Sequence, residues 1–154
     1  MVLKIATTGL VVSCLVHLTT FTDYVFPGQV ADKILLVLFL GLVTVWIPNA
    51  RVWKRLGERH ASAYVAELQV PMRRGYTLPF VSPGLRTLHF LCFAYVFFTA
   101  LRDMALRSAG SGPARPQVEP LLRFPTAAFI WFYYIIVAIQ YTAIKRDKGR
   151  HGVV

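Results

Sequence analysis

The feature that most constrains this chain is the spacing of its charges. Four runs carry no charged residue: Ile5–Thr22, Ile34–Ala50, Thr87–Leu101 and Phe124–Ile144, of 18, 17, 15 and 21 residues. A helix needs about 20 apolar residues to cross the hydrocarbon core of a bilayer, within a working range of roughly 17–25. Backbone N–H and C=O groups must be satisfied internally there, so such runs are expected as helices. The third run is short, but Ser82 is a natural N-cap and Pro83 a natural first-turn residue. A helix begun at Pro83 reaches 22 residues by Met104. The chain therefore reads as an all-α integral membrane protein. We expect a bundle of four transmembrane helices in a single domain, 1–154, with spans at about 4–22, 33–50, 83–104 and 124–146.

Composition agrees. Hydrophobic residues make up 56% of the chain and charged residues 16%, against about 25% charged in soluble domains. Mean hydropathy is +0.53. A net charge of +10 in a soluble domain would point to nucleic acid. Here the cations flank apolar runs, so topology and lipid headgroups account for them and no nucleic acid is expected. If all four runs span, the N-terminus, the segment 51–86 and the C-terminal tail share one side. That side holds 12 of the 17 Lys and Arg residues. Cations accumulate on the cytoplasmic side, so the orientation expected is N-in and C-in.

Segment one permits a second reading. Val11-Val12-Ser13-Cys14 resembles the small-residue pattern before a lipidated cysteine, with Lys4 as the basic flank. The chain stays apolar past Cys14, which favours a span. Gly9 and Ser13, with Ala6, form a small-residue stripe suited to close helix packing. Asp32 is the expected N-cap of segment two, and Pro48-Asn49 the expected kink or end. Segment four is expected to start at Pro125. Gln140 is the strongly polar side chain deep in its second half and is a candidate for bonding across helices.

The loop 51–82 is basic and amphipathic. Val52, Trp53, Leu56, Tyr64 and Leu68 recur at helical spacing among Arg51, Lys54, Arg55 and Arg59. It reads either as a helix, continuing the second or lying on the membrane, or as a solvated loop that only satisfies the preference for cytoplasmic cations. Arg51, Trp53, Lys54, Arg55, Arg59, Arg73 and Arg74 are the candidates for anionic headgroups, each cation contributing about 1 kcal/mol.

Chemistry is sparser. His17 and His89 lie in segments one and three and are the candidate cofactor ligands, since a pair of intramembrane histidines can hold a b-type haem. Depth opposes a shared iron. His17 lies 13 residues beyond Lys4 and His89 six beyond Pro83, so the rings differ in depth by about 10 Å. No cofactor is expected. Arg102 and Asp103 are expected as a solvated pair at a span end. Cys14 and Cys92 lack metal-site spacing and read as small buried hydrophobes. No nucleophile elbow, phosphate-cradling glycine loop or H-x-x-x-H occurs.

The function expected from these features is that of a small, non-enzymatic accessory or interaction subunit of a membrane complex. Its partners would be anionic lipid and other membrane subunits or copies of itself. The alternative is a small redox or lipid-handling enzyme using His17 or His89; a third is a transporter or channel subunit. A bacterial inner membrane is the expected location, an organellar membrane the alternative. The topology has a direct check in a chain whose Cys14 and Cys92 are replaced by Ser. A cysteine placed within 105–120 should react with an impermeant maleimide from outside the cell, and reaction from the cytoplasmic side alone would reverse the orientation.

Overall fold

Four helices follow in order: α1 (Val2–Thr19), α2 (Val30–Leu68), α3 (Pro83–Ser108) and α4 (Glu119–His151). The computed structural model describes residues 1–22, 26, 29–68, 81–108 and 119–151, without the side chains of 59–68, 106–108, 119–121 and 148–151. All four helices are long and apolar enough to cross a membrane. The described structure is thus an all-α four-helix bundle compatible with a multi-pass membrane protein.

Local chemistry sets the helix ends. α3 starts at Pro83, and the Ser82 carbonyl accepts the Arg86 N–H at 3.0 Å. α2 starts at Val30, two residues before Asp32. Asp32 is therefore not the N-cap but lies in the first turn, where a carboxylate meets the positive end of the helix dipole. Pro48 does not end α2, which runs on to Leu68. Residues 51–68 are thus helix rather than loop. At 39 residues α2 is about 58 Å long, nearly twice the thickness of a hydrocarbon core. α4 likewise begins at Glu119 rather than at Pro125, which lies inside the helix. Pro120 takes the first-turn place, where a missing N–H costs nothing.

α4 is the centre of the bundle. It packs against each of the other three helices, and α1 also packs on α2. Of its most apolar window 44% is buried, against 6% for α3. α1 presents the stripe Ala6, Gly9, Ser13 and Val16, all buried. Residues this small let two backbones approach closely.

One α4 side chain fills the space so made. Tyr133 is 1% exposed. Its ring lies where a Cβ on Gly9 would overlap three ring carbons, and its hydroxyl lies 2.7 Å from where a Cβ on Gly41 would be. The hydroxyl donates to the Leu38 carbonyl of α2 at 2.6 Å. Around it Ala6, Leu38, Val45 and Ile136 form one apolar cluster joining α1, α2 and α4. A second cluster, Leu56, Val81, Ile135 and Ile139, joins the far half of α2 to α4. Between them Gln140 Nε2 donates to Asn49 Oδ1 at 3.0 Å, with Asn49 buried.

The outward faces are apolar. Leu36, Val37, Phe39 and Leu40 of α2 and Phe90, Leu91, Phe97 and Phe98 of α3 are all more than half exposed. On α3 the residues turned inward, Leu85, His89, Cys92, Val96, Thr99 and Asp103, repeat at alternating steps of four and three and are half polar. A helix with its polar residues inside and phenylalanines outside suits acyl chains rather than water.

The two glycines should respond differently to one change in Tyr133. Gly41→Ala strikes only the hydroxyl, so it should cost about 1–3 kcal/mol in the native background and much less in Tyr133→Phe. Gly9→Ala strikes ring carbons and should remain destabilising in both. Equilibrium unfolding in detergent or bicelles of the native chain and these five variants checks this, and rescue of Gly9→Ala by Tyr133→Phe would contradict the packing.

Candidate functional site

α1 ends at Thr19 with Thr20 as its C-cap, which leaves terminal carbonyls in need of donors. α4 enters beside this end and supplies them. Arg123 Nη2 donates to the Thr20 carbonyl at 2.5 Å, and Nε donates to Thr20 Oγ1 at 3.4 Å. The Thr20 hydroxyl in turn donates to the His17 carbonyl at 2.7 Å. The guanidinium also lies 4.4 Å from the centre of the Phe21 ring. A cation at the C-terminal end of a helix is favoured by its dipole, and a cation over a ring face by the ring quadrupole.

His17, 6% exposed, sits one turn inside this cap. Both ring nitrogens are engaged. Nδ1 lies 2.8 Å from Thr126 Oγ1 of α4, and Nε2 lies 2.6 Å from the Tyr95 hydroxyl of α3. The Thr126 hydroxyl donates to the Leu122 carbonyl at 2.6 Å. A hydroxyl has one proton, so Thr126 accepts from His17, which fixes the imidazole proton on Nδ1. In a neutral ring Nε2 would carry the lone pair and accept from Tyr95. The hydrogen bonds would then run one way, from Tyr95 through His17 and Thr126 to Leu122, each polarising the next. The rings of His17 and Tyr95 meet edge-on, 5.5 Å between centres. The result is a phenol hydrogen-bonded to an imidazole, held among three helices.

The two histidines occupy different neighbourhoods. His89 Nδ1 accepts from Trp131 Nε1 at 3.3 Å and packs among Phe90 and Trp131. Tyr95 is six residues beyond His89, about 9 Å further along α3. That is the depth gap expected between His17 and His89, so the same arithmetic locates Tyr95 as the α3 residue level with His17. Sequence reasoning did not single out Tyr95, Thr126, Arg123 or Thr20. Asp103 is 8% exposed on the inner face of α3 while Arg102 is exposed, so the two are not the solvated pair expected. Cys14 and Cys92 are half-buried free thiols. No α-carbon of α1 comes within 8 Å of one in α3, beyond the roughly 7 Å limit for a disulfide. Among the described residues no three His, Cys, Asp or Glu side chains gather as a metal site.

Of the headgroup candidates, Arg51, Trp53, Lys54 and Arg55 are exposed along the extension of α2, with Val52 and Leu56 turned inward. Lys54 lies 3.9 Å from Glu58. The backbone at Arg59 is helical; Arg73 and Arg74 lie outside the described residues.

Tyr95→Phe and Thr126→Val each remove one partner of His17 and should cost about 0.6–1.7 kcal/mol in a membrane setting. Because both serve one polarised chain, the double variant should lose less than the sum. Unfolding free energies that add within error would show that the chain does not act as a unit. No family model matches this sequence, and neither a curated protein nor a solved structure is significantly similar to it.

Proposed function

We propose that this chain is a multi-pass membrane protein with both termini on the cytoplasmic side, acting as a small non-enzymatic accessory or interaction subunit. The observation that carries this reading is the position of α3. It packs closely on α4 alone and leaves Phe90, Phe97, Phe98 and Leu101 on the opposite side. A helix held by one neighbour, with rigid aromatic side chains outward, offers a contact surface to another membrane helix at low entropic cost. The exposed Arg51, Lys54 and Arg55 on the α2 extension would lie against anionic headgroups on the cytoplasmic side.

The His17–Tyr95 pair favours a second reading, a small membrane redox or lipid-handling enzyme, because ionisable side chains buried in a span are functional candidates by default. Two measurements separate the readings. Extraction in mild detergent followed by mass spectrometry should find a membrane protein at stoichiometric ratio, lost on Phe97→Ala with Phe98→Ala while the fold persists. A lone chain carrying a visible chromophore that disappears with His17→Ala would establish the second reading instead.

A further inference from the structure

The boundary between α1 and α3 is a seam. Both helices pack on α4, yet their backbones stay apart, and the Tyr95–His17 hydrogen bond bridges the gap. Residues three, four and seven apart share a helix face. The face of α3 that carries Tyr95 therefore also carries Leu88, Leu91, Phe98 and Arg102, all exposed. On α1 the face of His17 carries Cys14 and leads to the exposed Phe21. The walls are apolar along their length and basic at one end.

That end holds two arginines. Arg102 lies 19 residues beyond Pro83, about 28 Å along α3, close to the thickness of a hydrocarbon core. Helical side chains lean toward their own N-terminus, which aims Arg102 back at Tyr95. Arg123 enters from α4 at the same end, against Thr20 and Phe21, and Arg102 lies two turns beyond Tyr95 on the same face of α3. Among the described residues neither has a carboxylate partner, and the adjacent Asp103 faces inward. Arg123 uses two of its five N–H donors on Thr20. Both arginines belong to the cation-poor side of the chain, so the rule that places cations in cytoplasmic loops does not account for them.

We propose that the α1–α3 seam binds one anionic phospholipid, its phosphate held by Arg102 and Arg123 and one acyl chain lying along Leu88 and Leu91. A phosphate supplies the charge that the two guanidinium groups lack, and bidentate acceptance suits their geometry. An acyl chain would cover the exposed side chains of Leu88 and Leu91. This site rests on the membrane reading above and is separate from the α2 extension, which would meet headgroups of the other leaflet.

The test is native mass spectrometry of the protein released from vesicles of equal phosphatidylglycerol and phosphatidylcholine, after flotation has shown that it is inserted. Wild type should retain one phosphatidylglycerol per chain in preference to phosphatidylcholine. Arg102→Gln, which removes no hydrogen bond or ion pair among the described residues, should lower that occupancy about fivefold, the weight of one cation at a headgroup. Arg123→Gln should lower it at least as far, and Lys33→Gln, at an exposed cation of α2 outside the seam, should leave it unchanged. Equal retention of the two lipids, or an unaltered Arg102→Gln, overturns the site. So does inorganic phosphate alone stabilising the lipid-free protein as well as the lipid does. Failure to float overturns the membrane reading itself, whereas flotation without lipid preference overturns only the seam.

Discussion

The ring of Tyr133 decides how close three helices come. Helix interfaces in lipid gain little from excluding water, so they depend on van der Waals fit and on hydrogen bonds made across the gap. Tyr133 supplies both. Its ring occupies the notch that Gly9 leaves in α1, and its hydroxyl reaches the Leu38 carbonyl beside Gly41 of α2. The stripe on α1 gives close approach, and the tyrosine turns that approach into a fixed register among α1, α2 and α4. The polar tip lands on a carbonyl that already serves its own helix, so the phenol is buried without an unmet hydrogen bond.

α3 follows a different logic. It is the least buried of the four helices, and its inner face is its more polar one. What fixes it is a ladder of side-chain bonds to its neighbours: the Tyr134 hydroxyl to the Leu85 carbonyl, the Trp131 indole to His89, and Tyr95 to His17. In an apolar surrounding such bonds contribute roughly 0.6–1.7 kcal/mol each. They position a helix without enclosing it. This explains how α3 can be well oriented and yet leave most of its aromatic surface facing away from the bundle.

Much of this was legible in the chain before any coordinates. The four uncharged runs locate the four long apolar helices, because charge is costly to place in apolar surroundings. Pro83 marks the start of α3 since proline fits a first turn. The Ala6–Gly9–Ser13 stripe is visible from spacing alone, and the structure buries it. What spacing cannot provide is the occupant of the notch. Segment four carries Trp131-Phe132-Tyr133-Tyr134 around its whole circumference, and nothing local says which aromatic turns inward. The His17 site was half legible for a similar reason. A buried histidine is conspicuous, but its partners Tyr95 and Thr126 are ordinary residues until the helices are placed side by side.

The prolines show why the boundaries were the weakest part of that reading. Pro48 and Pro125 are helix breakers in water, costing about 3 kcal/mol or more in a helix interior. Here both lie inside helices. In a membrane the freed carbonyls can be met by hydroxyls and neighbouring helices, so continuation is favoured over termination. Each proline immediately precedes a polar residue that reaches another helix: Asn49 bonds Gln140, and Thr126 bonds His17. Thr126 also donates to the Leu122 carbonyl one residue past the Leu121 carbonyl that Pro125 leaves without its usual donor. A locally weakened backbone and an interhelical polar contact thus coincide twice. Departures from local sequence rules are expected at sites where a structure does more than pack. By that criterion the Thr126–His17–Tyr95 chain, with a proline-weakened helix turn at one end and a partly exposed tyrosine at the other, is the part of this molecule whose sequence is least explained by stability alone.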